Sequence, residues 1–441
     1  MPHRLKKLIL LLGDLAFLHL ALFLTLVIRY PRTLWLESWQ SHWLSFAVIF
    51  IIWLLVFYIN NLYDLNLRVI SRKFFRRIMN ATIISGLLSI LYFYFNIQTG
   101  ITPKTNLAIF IAIFSLLFLF WRGLHQIITR SFIPRDNLAI IGSGSSAEEI
   151  MRLLKENPGA GYQTALVFKN PEELIDLSKS IEAKNIRAIV VCDDFGQSTA
   201  LREALFACLI HKITFFNYPD FYELLTGKIP VEAIGQNWFL ENLRAGQKNY
   251  FHLFKKIFDY LVALAILIIS LLFWPLIALA IKLSSRGPIF FKQIRLGRNG
   301  REFFMIKFRT MRTENNNSAP TAENDERITA VGSFLRQTRL DEIPQLINIL
   351  KGEMSFIGPR PERPEIAVEL EKTIPFYKTR LLIKPGVTGW DQISGAYHSA
   401  SISDSQEKLQ YDLFYLKNRS LYLDLTIALK TLATMLSRSG R

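Results

Sequence analysis

An adjacent pair of carboxylates, Asp341 and Glu342, is the part of this chain best suited to chemistry, and Arg336 and Arg339 precede it by a few residues. The pattern predicts that the pair begins a helix, where free backbone N–H groups and the positive end of the helix dipole favour phosphate and keep a carboxylate ionised. Arginines near such a pair indicate phosphate chemistry. On these residues alone, Asp341 could equally be the cap of a helix with Pro344 in its first turn.

The composition predicts a membrane protein. The chain has 441 residues, enough for about three domains, and 51% of them are hydrophobic, with a mean hydropathy of +0.24. The formal net charge is +16, and much of the basic charge adjoins apolar runs, as in 4–8 and 72–77. That placement suits anionic lipid headgroups better than nucleic acid. Cys192 and Cys208 are too few for a disulfide framework or a zinc site, which indicates a reducing compartment.

Long apolar segments in the first third predict an N-terminal four-helix transmembrane domain, 1–130, because each is near the length that crosses a bilayer. Basic residues concentrate at the N-terminus, in the second loop at about 68–77, and after the last segment. The positive-inside rule therefore places the N-terminus in the cytoplasm and returns the chain there after four crossings. The segments lie at about 8–28, 43–63, 80–96 and 105–121.

The middle of the chain, 135–237, has the pattern of a Rossmann-like α/β domain. A buried strand at 137–141 runs into the glycine-rich turn at 142–147, and the next residues predict a helix. Nucleotide binding is one interpretation. The second strand, however, runs into Lys169 and Asn170 without the acidic residue that would hold a ribose, which favours a structural or regulatory module.

The apolar segment Asp259–Leu283 is long enough to span a membrane, but Pro275 interrupts it and basic residues flank it on both sides. Proline removes a backbone hydrogen bond and clashes with the preceding turn. Since both flanks are positive, a simple crossing is disfavoured. We therefore predict a re-entrant membrane helix, 255–284, within a C-terminal α/β domain, 250–441. The alternative is a kinked transmembrane helix.

Five spaced motifs in this C-terminal part together resemble the bacterial sugar transferase family, also called monotopic phosphoglycosyl transferases. The motifs are 290–297, 307–311, 339–346, 358–361 and 385–390. The chain looks most like the long undecaprenyl-phosphate galactose or glucose phosphotransferases. The resemblance implies transfer of hexose 1-phosphate from a UDP-sugar to undecaprenyl phosphate, with release of UMP, at the cytoplasmic face of the bacterial inner membrane. It also implies a homodimer, a non-catalytic middle domain and a role in starting cell-surface polysaccharide synthesis, with galactose favoured over glucose.

Within that resemblance, each candidate residue has an expected role. Asp341 is the nucleophile, which attacks the sugar-bearing phosphorus and forms a covalent aspartyl phosphosugar. Glu342 is the Mg²⁺ ligand, since magnesium takes one or two carboxylates beside substrate phosphates. Arg336 occupies the phosphate-contacting position, and Arg360 engages the nucleotide from a turn that prolines hold rigid, with a plain surface turn as the alternative. The turn's prolines are Pro359 and Pro361.

Other cations near the motifs are second-rank candidates, which either line a channel for an acidic substrate or belong to a basic surface. These are Lys307, Arg309 and Arg339.

Two rival functions remain at this stage. A membrane-anchored nucleotide-sugar dehydratase could combine membrane helices with a Rossmann-like domain, but it needs a Tyr-x-x-x-Lys pair, and no tyrosine here has lysine four positions later. A non-catalytic scaffold for polysaccharide assembly would explain the membrane helices but not the surroundings of Asp341 and Glu342. The expected partners are a UDP-sugar, undecaprenyl phosphate and membrane lipids, and no nucleic acid.

Overall fold

The computed structural model describes residues 3–63, 71–96, 104–131, 135–170, 173, 177–192, 199–211, 213–243, 249–312, 325–394 and 401–436. The chain forms two compact units, Met1–Phe221 and Tyr222–Arg441.

The first unit begins with the predicted apolar helices. In the described part of the chain, four helices are long and apolar enough to cross a membrane, which confirms this prediction. The basic residues Arg72, Arg76 and Arg77, expected in the second loop, lie instead in the first turns of the third helix, and 64–70 fall outside the described residues. The four helices are α1 (His3–Arg29), α2 (Trp35–Ile59), α3 (Arg72–Phe95) and α4 (Lys104–Ser131).

Aromatic side chains pack between the helices of this bundle, and a buried ion pair joins two of them. Trp53 of α2 packs edge-on against Phe110 and Phe114 of α4. Nη2 of Arg122 donates to Oδ2 of Asp14 at 2.7 Å, which joins α4 to α1. Because an unpaired charge inside an apolar bundle is costly, each partner compensates the other.

A parallel α/β sheet follows in the first unit, as the sequence predicted. All neighbouring strands are parallel, in the order β2-β1-β3-β4. The strands and helices are β1 (Asp136–Ile141), α5 (Ser145–Glu156), β2 (Tyr162–Phe168), α6 (Leu177–Lys184), β3 (Ile186–Val191), α7 (Thr199–Ala207), β4 (Thr214–Asn217) and α8 (Tyr218–Thr226), which begins in the first unit and ends in the second.

The second unit contains the remaining elements, with two small sheets, β5-β6 antiparallel and β7-β8 parallel. The elements are α9 (Gln236–Asn242), α10 (Asn249–Leu271), α11 (Trp274–Ser284), β5 (Phe290–Leu296), β6 (Glu302–Phe308), α12 (Ala330–Gln337), α13 (Gln345–Leu350), β7 (Ser355–Ile357), α14 (Pro364–Thr373), β8 (Gly386–Thr388), α15 (Trp390–Ser394), α16 (Ile402–Asn418) and α17 (Leu421–Leu436).

The predicted middle domain ends at residue 237, whereas the boundary between the two compact units lies at Phe221. Ile229, Val231 and Trp238 are buried in one apolar cluster with Leu409 and Leu413 of α16, inside the second unit. The sequence showed that these residues are apolar but not which core they join. The segment after Phe221 therefore belongs to the second unit.

The helix pair α10 and α11 is bent by 62° at a short break. Pro275 stands in the first turn of α11, and its ring would clash with the carbonyl of Leu271, the residue at which α10 ends. Large apolar side chains on α10, such as Phe258, Leu261 and Ile268, are exposed in the protein alone, so that lipid would cover them. This geometry fits a broken span or a re-entrant loop.

Contacts at the base of α10 fix the bent pair to the rest of the second unit. The Ser355 hydroxyl donates to Oδ2 of Asp259 at 2.7 Å, which ties α10 to β7. Lys255 Nζ donates to Oδ2 of Asp424 at 2.7 Å, which ties α10 to α17. These contacts therefore fix the apolar helix pair to the strand that leads into the Pro359–Pro361 turn.

Candidate active site

The carboxylate pair lies in a short 3₁₀ turn, Leu340–Glu342, and not at the start of a helix as predicted. Arg339 ends the preceding segment with φ 55° and ψ 17°, a left-handed conformation that a non-glycine residue seldom adopts. Helix α13 begins only at Gln345. The left-handed Arg339 therefore separates the pair from α12, and Ile343 and Pro344 separate it from α13.

Apolar neighbours anchor this turn. Leu340 and Ile343 pack against the buried side chains of Phe308 and Leu335, which come from β6 and α12. Since one apolar residue precedes the carboxylates and another follows them, the turn is held at both ends. The two carboxylates are thus fixed beside the end of β6.

Asp341 is buried, with 7% of its surface exposed. Among the described residues its carboxylate makes no hydrogen bond or ion pair within the usual distances. Burial raises the pKa of the Asp341 carboxyl to about 6, against the opposing effect of Lys307. A buried carboxylate without a hydrogen-bond partner keeps its oxygens available for attack on a phosphorus atom.

Glu342, in contrast, is surrounded by cations. Lys307 Nζ donates to its Oε1 at 2.8 Å, Arg360 Nη2 lies 3.8 Å from the same oxygen, and Arg339 Nη1 lies 3.9 Å from Oε2. Burial alone would raise the pKa of Glu342, but Lys307 and the arginines outweigh it and hold the pKa at about 2. Two adjacent carboxylates therefore have pKa values pushed apart, which suits different roles.

Arg336 reaches the same region from α12. Its Nε donates to Oγ1 of Thr310 at 2.9 Å, and burial lowers the pKa of its guanidinium while Asp341 opposes the shift. Helix α12 can approach Thr310 because residue 332 is glycine: a Cβ there would lie 2.0 Å from the Thr310 carbonyl oxygen. The close approach positions Arg336 beside the carboxylate pair.

Arg309 fits neither of its predicted alternatives. It is buried, with 5% of its surface exposed, and its Nη2 donates to the Ser285 carbonyl at 2.6 Å and to the Ser285 hydroxyl at 3.0 Å. These contacts cap the end of α11. Arg309 therefore connects the bent helix pair to β6 and is not part of the cluster around Glu342.

The Pro359–Pro361 turn lies against the strand β8 at backbone-to-backbone distance. A Cβ at Gly358 would lie 2.4 Å from the Lys384 carbonyl oxygen, and a Cβ at Gly386 would lie 2.2 Å from the Gly358 nitrogen. Only glycine permits this packing. Half of the Arg360 side chain remains exposed, and its guanidinium faces Glu342. The turn therefore directs Arg360 to the carboxylate pair.

Two polar residues of α13 were not predicted as site residues. The Asn348 amide, fully buried, accepts from the Ile306 N–H at 3.2 Å and donates to the Phe304 carbonyl at 2.8 Å, which pins α13 to β6. Gln345 is 2% exposed and lines a cavity with Lys307 and Glu342. Among the described residues its side chain makes no hydrogen bond. The sequence signal that could have identified them is the presence of two amides in the otherwise apolar helix α13.

The described residues contain no cluster of three or more His, Cys, Asp or Glu side chains suited to a metal ion. Magnesium, however, often takes only one or two carboxylates and completes its shell with water and substrate phosphate. Oε1 of Glu342 contacts Lys307, whereas the described residues place only Arg339 near Oε2, at 3.9 Å. Oε2 is therefore the Glu342 atom left for a cation, and the pair fits a magnesium ion that substrate helps to hold.

Comparison with known proteins identifies the family of this chain. The family described as "Bacterial sugar transferase" matches residues 250–438. The UDP-glucose:undecaprenyl-phosphate glucose-1-phosphate transferase of Xanthomonas campestris pv. campestris is 31% identical over 343 residues, which are 72% of this chain and 70% of that relative. This chain belongs to the bacterial sugar transferase family. The family predicted from the spaced motifs is confirmed.

Further relatives of this bacterial sugar transferase differ in length and in the sugar that they name. A UDP-N-acetylgalactosamine-undecaprenyl-phosphate N-acetylgalactosaminephosphotransferase of Aeromonas hydrophila is 36% identical over 238 residues, 53% of this chain and 55% of the relative. An exopolysaccharide production protein of Rhizobium leguminosarum bv. phaseoli is 37% identical over 191 residues, 42% of this chain and 96% of the relative. The predicted enzyme class, undecaprenyl-phosphate sugar phosphotransferase, is the class that the Xanthomonas and Aeromonas names state.

Proposed function

We propose that this bacterial sugar transferase moves a hexose 1-phosphate from a UDP-sugar to undecaprenyl phosphate and releases UMP. This reaction would be the first step in the synthesis of a cell-surface polysaccharide. The names of its relatives support the substrates. The contrast between the two adjacent carboxylates carries the assignment of roles: Asp341 has no partner among the described residues, whereas Glu342 is held by three cations.

In the first step, a carboxylate oxygen of Asp341 attacks the phosphorus that bears the sugar. The bond from that phosphorus to the oxygen bridging to the α-phosphate breaks, and UMP leaves with the bond's electron pair. Arg336 and Arg360, which flank the pair, neutralise charge that develops on the phosphoryl oxygens. The sugar 1-phosphate is then bound to Asp341 as an acyl phosphate.

In the second step, an oxygen of undecaprenyl phosphate attacks the same phosphorus, and the Asp341 carboxylate is released. The lipid's phosphate lies at the membrane surface, so the carboxylate pair must lie there as well. The contact of α10 with β7 supports this placement, because β7 leads into the turn that carries Arg360, and a second contact ties α10 to α17. We propose that the helix pair α10 and α11 is re-entrant and that the site faces the cytoplasm.

Magnesium, when bound at Oε2 of Glu342, supplies charge neutralisation for the phosphates of the nucleotide. Lys307 holds the other oxygen of the same carboxylate and keeps it ionised. The protein therefore fixes the orientation of Glu342 before any cation or substrate binds.

The hexose is the finer part of the proposal. The family resemblance favours galactose over glucose, whereas the relatives named above specify glucose and N-acetylgalactosamine. UDP-glucose, UDP-galactose and UDP-N-acetylgalactosamine should therefore be compared directly. We further propose that the middle domain is not needed for chemistry, since 191 matched residues make up 96% of the Rhizobium relative. The homodimer stays a prediction.

A burst experiment tests the covalent route. With undecaprenyl phosphate omitted, the wild-type protein should release UMP in an amount equal to the protein present and retain labelled sugar phosphate. Asp341→Asn should release none, because an amide keeps the side-chain shape but cannot form the acyl phosphate. Steady-state kinetics should be ping-pong. Sequential kinetics without protein-bound label would favour direct transfer between the substrates and leave Asp341 without the nucleophile's role.

A further inference from the structure

The turn that presents Arg360 is held by all four of its consecutive carbonyl groups, from Pro359 to Glu362. Prolines at 359 and 361 have no N–H group, so this segment offers mainly acceptors and needs donors from elsewhere. The donors, in the order of the carbonyls, are Gly386 N at 2.9 Å, Arg380 Nη2 at 3.0 Å, Arg295 Nη1 at 2.9 Å and Leu296 N at 2.9 Å.

The donor for the Arg360 carbonyl is itself a buried charged side chain. Arg380 is 4% exposed and lies with its Nη2 2.8 Å from Oδ2 of Asp412, which is equally buried. Its Nη1 donates to the Tyr377 hydroxyl at 2.6 Å and lies 3.8 Å from Glu362. Because the guanidinium is planar, these contacts on its two terminal nitrogens fix both its position and its orientation.

A buried ion pair is weak evidence of a contribution to stability, because desolvating two charges offsets most of their attraction. Arg380 and Asp412 come from the segment after α14 and from α16, which also contribute Tyr377, Leu409 and Leu413 to one apolar cluster. What the pair adds is geometry: one guanidinium fixes the plane of the peptide group that follows Arg360. That peptide plane decides the direction in which the Arg360 side chain leaves the turn.

We propose that Arg380, held in place by Asp412, is a positioning residue for Arg360 in nucleotide binding. The assignment rests on the proposed function, because it assumes that Arg360 engages the nucleotide of the donor substrate. Arg380 itself does not touch the substrate. Its loss lets the turn relax, so that Arg360 no longer meets the phosphates at the right angle.

A double-mutant cycle on UMP release tests this assignment. Arg360→Ala and Arg380→Gln should each raise KM for the UDP-sugar about tenfold, while kcat changes much less. The double variant should be no worse than Arg360→Ala alone, because Arg380 acts only through Arg360. Lys378→Gln is the matched control and should behave as wild type, because Lys378 lies with Arg380 in the short 3₁₀ helix Tyr377–Leu382 but is 74% exposed.

Alternative outcomes have distinct meanings. If the effects of the two substitutions on KM multiply in the double variant, Arg380 acts independently of Arg360. That result would overturn the positioning role. If Arg380→Gln does not fold, the cycle is run with Asp412→Asn and with Arg380→Lys. The lysine keeps the charge but loses the planar fork. An unchanged KM in both variants would equally overturn the positioning role. Failure of the wild type to release UMP from any UDP-sugar would instead refute the proposed function itself.

Discussion

The ammonium nitrogen of Lys307 lies 2.8 Å from Oε1 of Glu342, and both side chains are largely shielded from water. Lys307 comes from β6 and Glu342 from the 3₁₀ turn after α12, so the contact fixes the turn to the sheet. A short ion pair of this kind also keeps one carboxylate ionised next to Asp341, whose pKa burial raises to about 6. The arrangement gives Glu342 a fixed charge, whereas the Asp341 carboxylate has no hydrogen-bond or ion-pair partner among the described residues.

Replacing Lys307 by an uncharged residue should impair the reaction more than folding. We expect Lys307→Met to lower kcat by about a hundredfold, as the loss of one preorganised charge near a transferring phosphoryl group does. The free energy of unfolding should fall by about 1–3 kcal/mol, because Arg339 and Arg360 still face Glu342. Lys292→Met, an exposed change on neighbouring β5, is the control, and a kcat equal to that of the control would contradict this role.

Magnesium dependence should separate the two carboxylates. Removal of divalent cations with EDTA should abolish UMP release by the wild type, and added Mg²⁺ should restore it. Glu342→Gln should need at least about tenfold more Mg²⁺ for half-maximal rate, because a charged ligand becomes a neutral one. Asp341→Asn should stay inactive at every Mg²⁺ concentration. UMP release that persists in EDTA would remove magnesium from the proposed mechanism.

Gln345 should contribute to binding or transfer of substrate, since its buried amide faces the cavity beside Lys307 and Glu342 without a partner among the described residues. We expect Gln345→Leu to lower kcat/KM about tenfold, the value of one lost hydrogen bond to a charged group. Gln337→Leu, an exposed change at the end of α12, is the control. If both variants match the wild type, the Gln345 amide has no part in the reaction.

The sequence predicted the main parts of this site but not how they are assembled. The residue types at 341, 342 and 360 indicated their chemistry because charge and spacing are local properties. The left-handed Arg339 could not be predicted, since left-handed residues are usually glycine and its conformation depends on how Leu340 and Ile343 pack. Contacts between distant residues, such as Arg380 with Asp412, likewise depend on the folded chain.

A truncation test follows from the boundary between the two compact units. A protein beginning at Tyr222 should fold and transfer sugar phosphate, whereas one beginning at Asn249 loses Ile229, Val231 and Trp238 from its core. Each buried apolar side chain contributes about 1.5–3 kcal/mol, so that their joint loss approaches the whole stability of a domain. Size-exclusion profiles in detergent and UMP release should distinguish the two. Equal stability of both truncated proteins would place the domain limit near residue 237 after all.

The last prediction concerns the bent helix pair. If α10 and α11 re-enter the membrane, single cysteines at Lys256 and Arg286 should both be protected from an impermeant maleimide in intact right-side-out vesicles and should both react after permeabilisation. The background lacks the native Cys192 and Cys208. A cysteine at Thr33, between the first two spans, should react in intact vesicles and serves as the control for the opposite face. Reaction at one of the two flanks but not at the other would instead identify the pair as a kinked span. The Pro275 break would then bend a crossing helix, and the carboxylate pair would lie on the face opposite to the N-terminus.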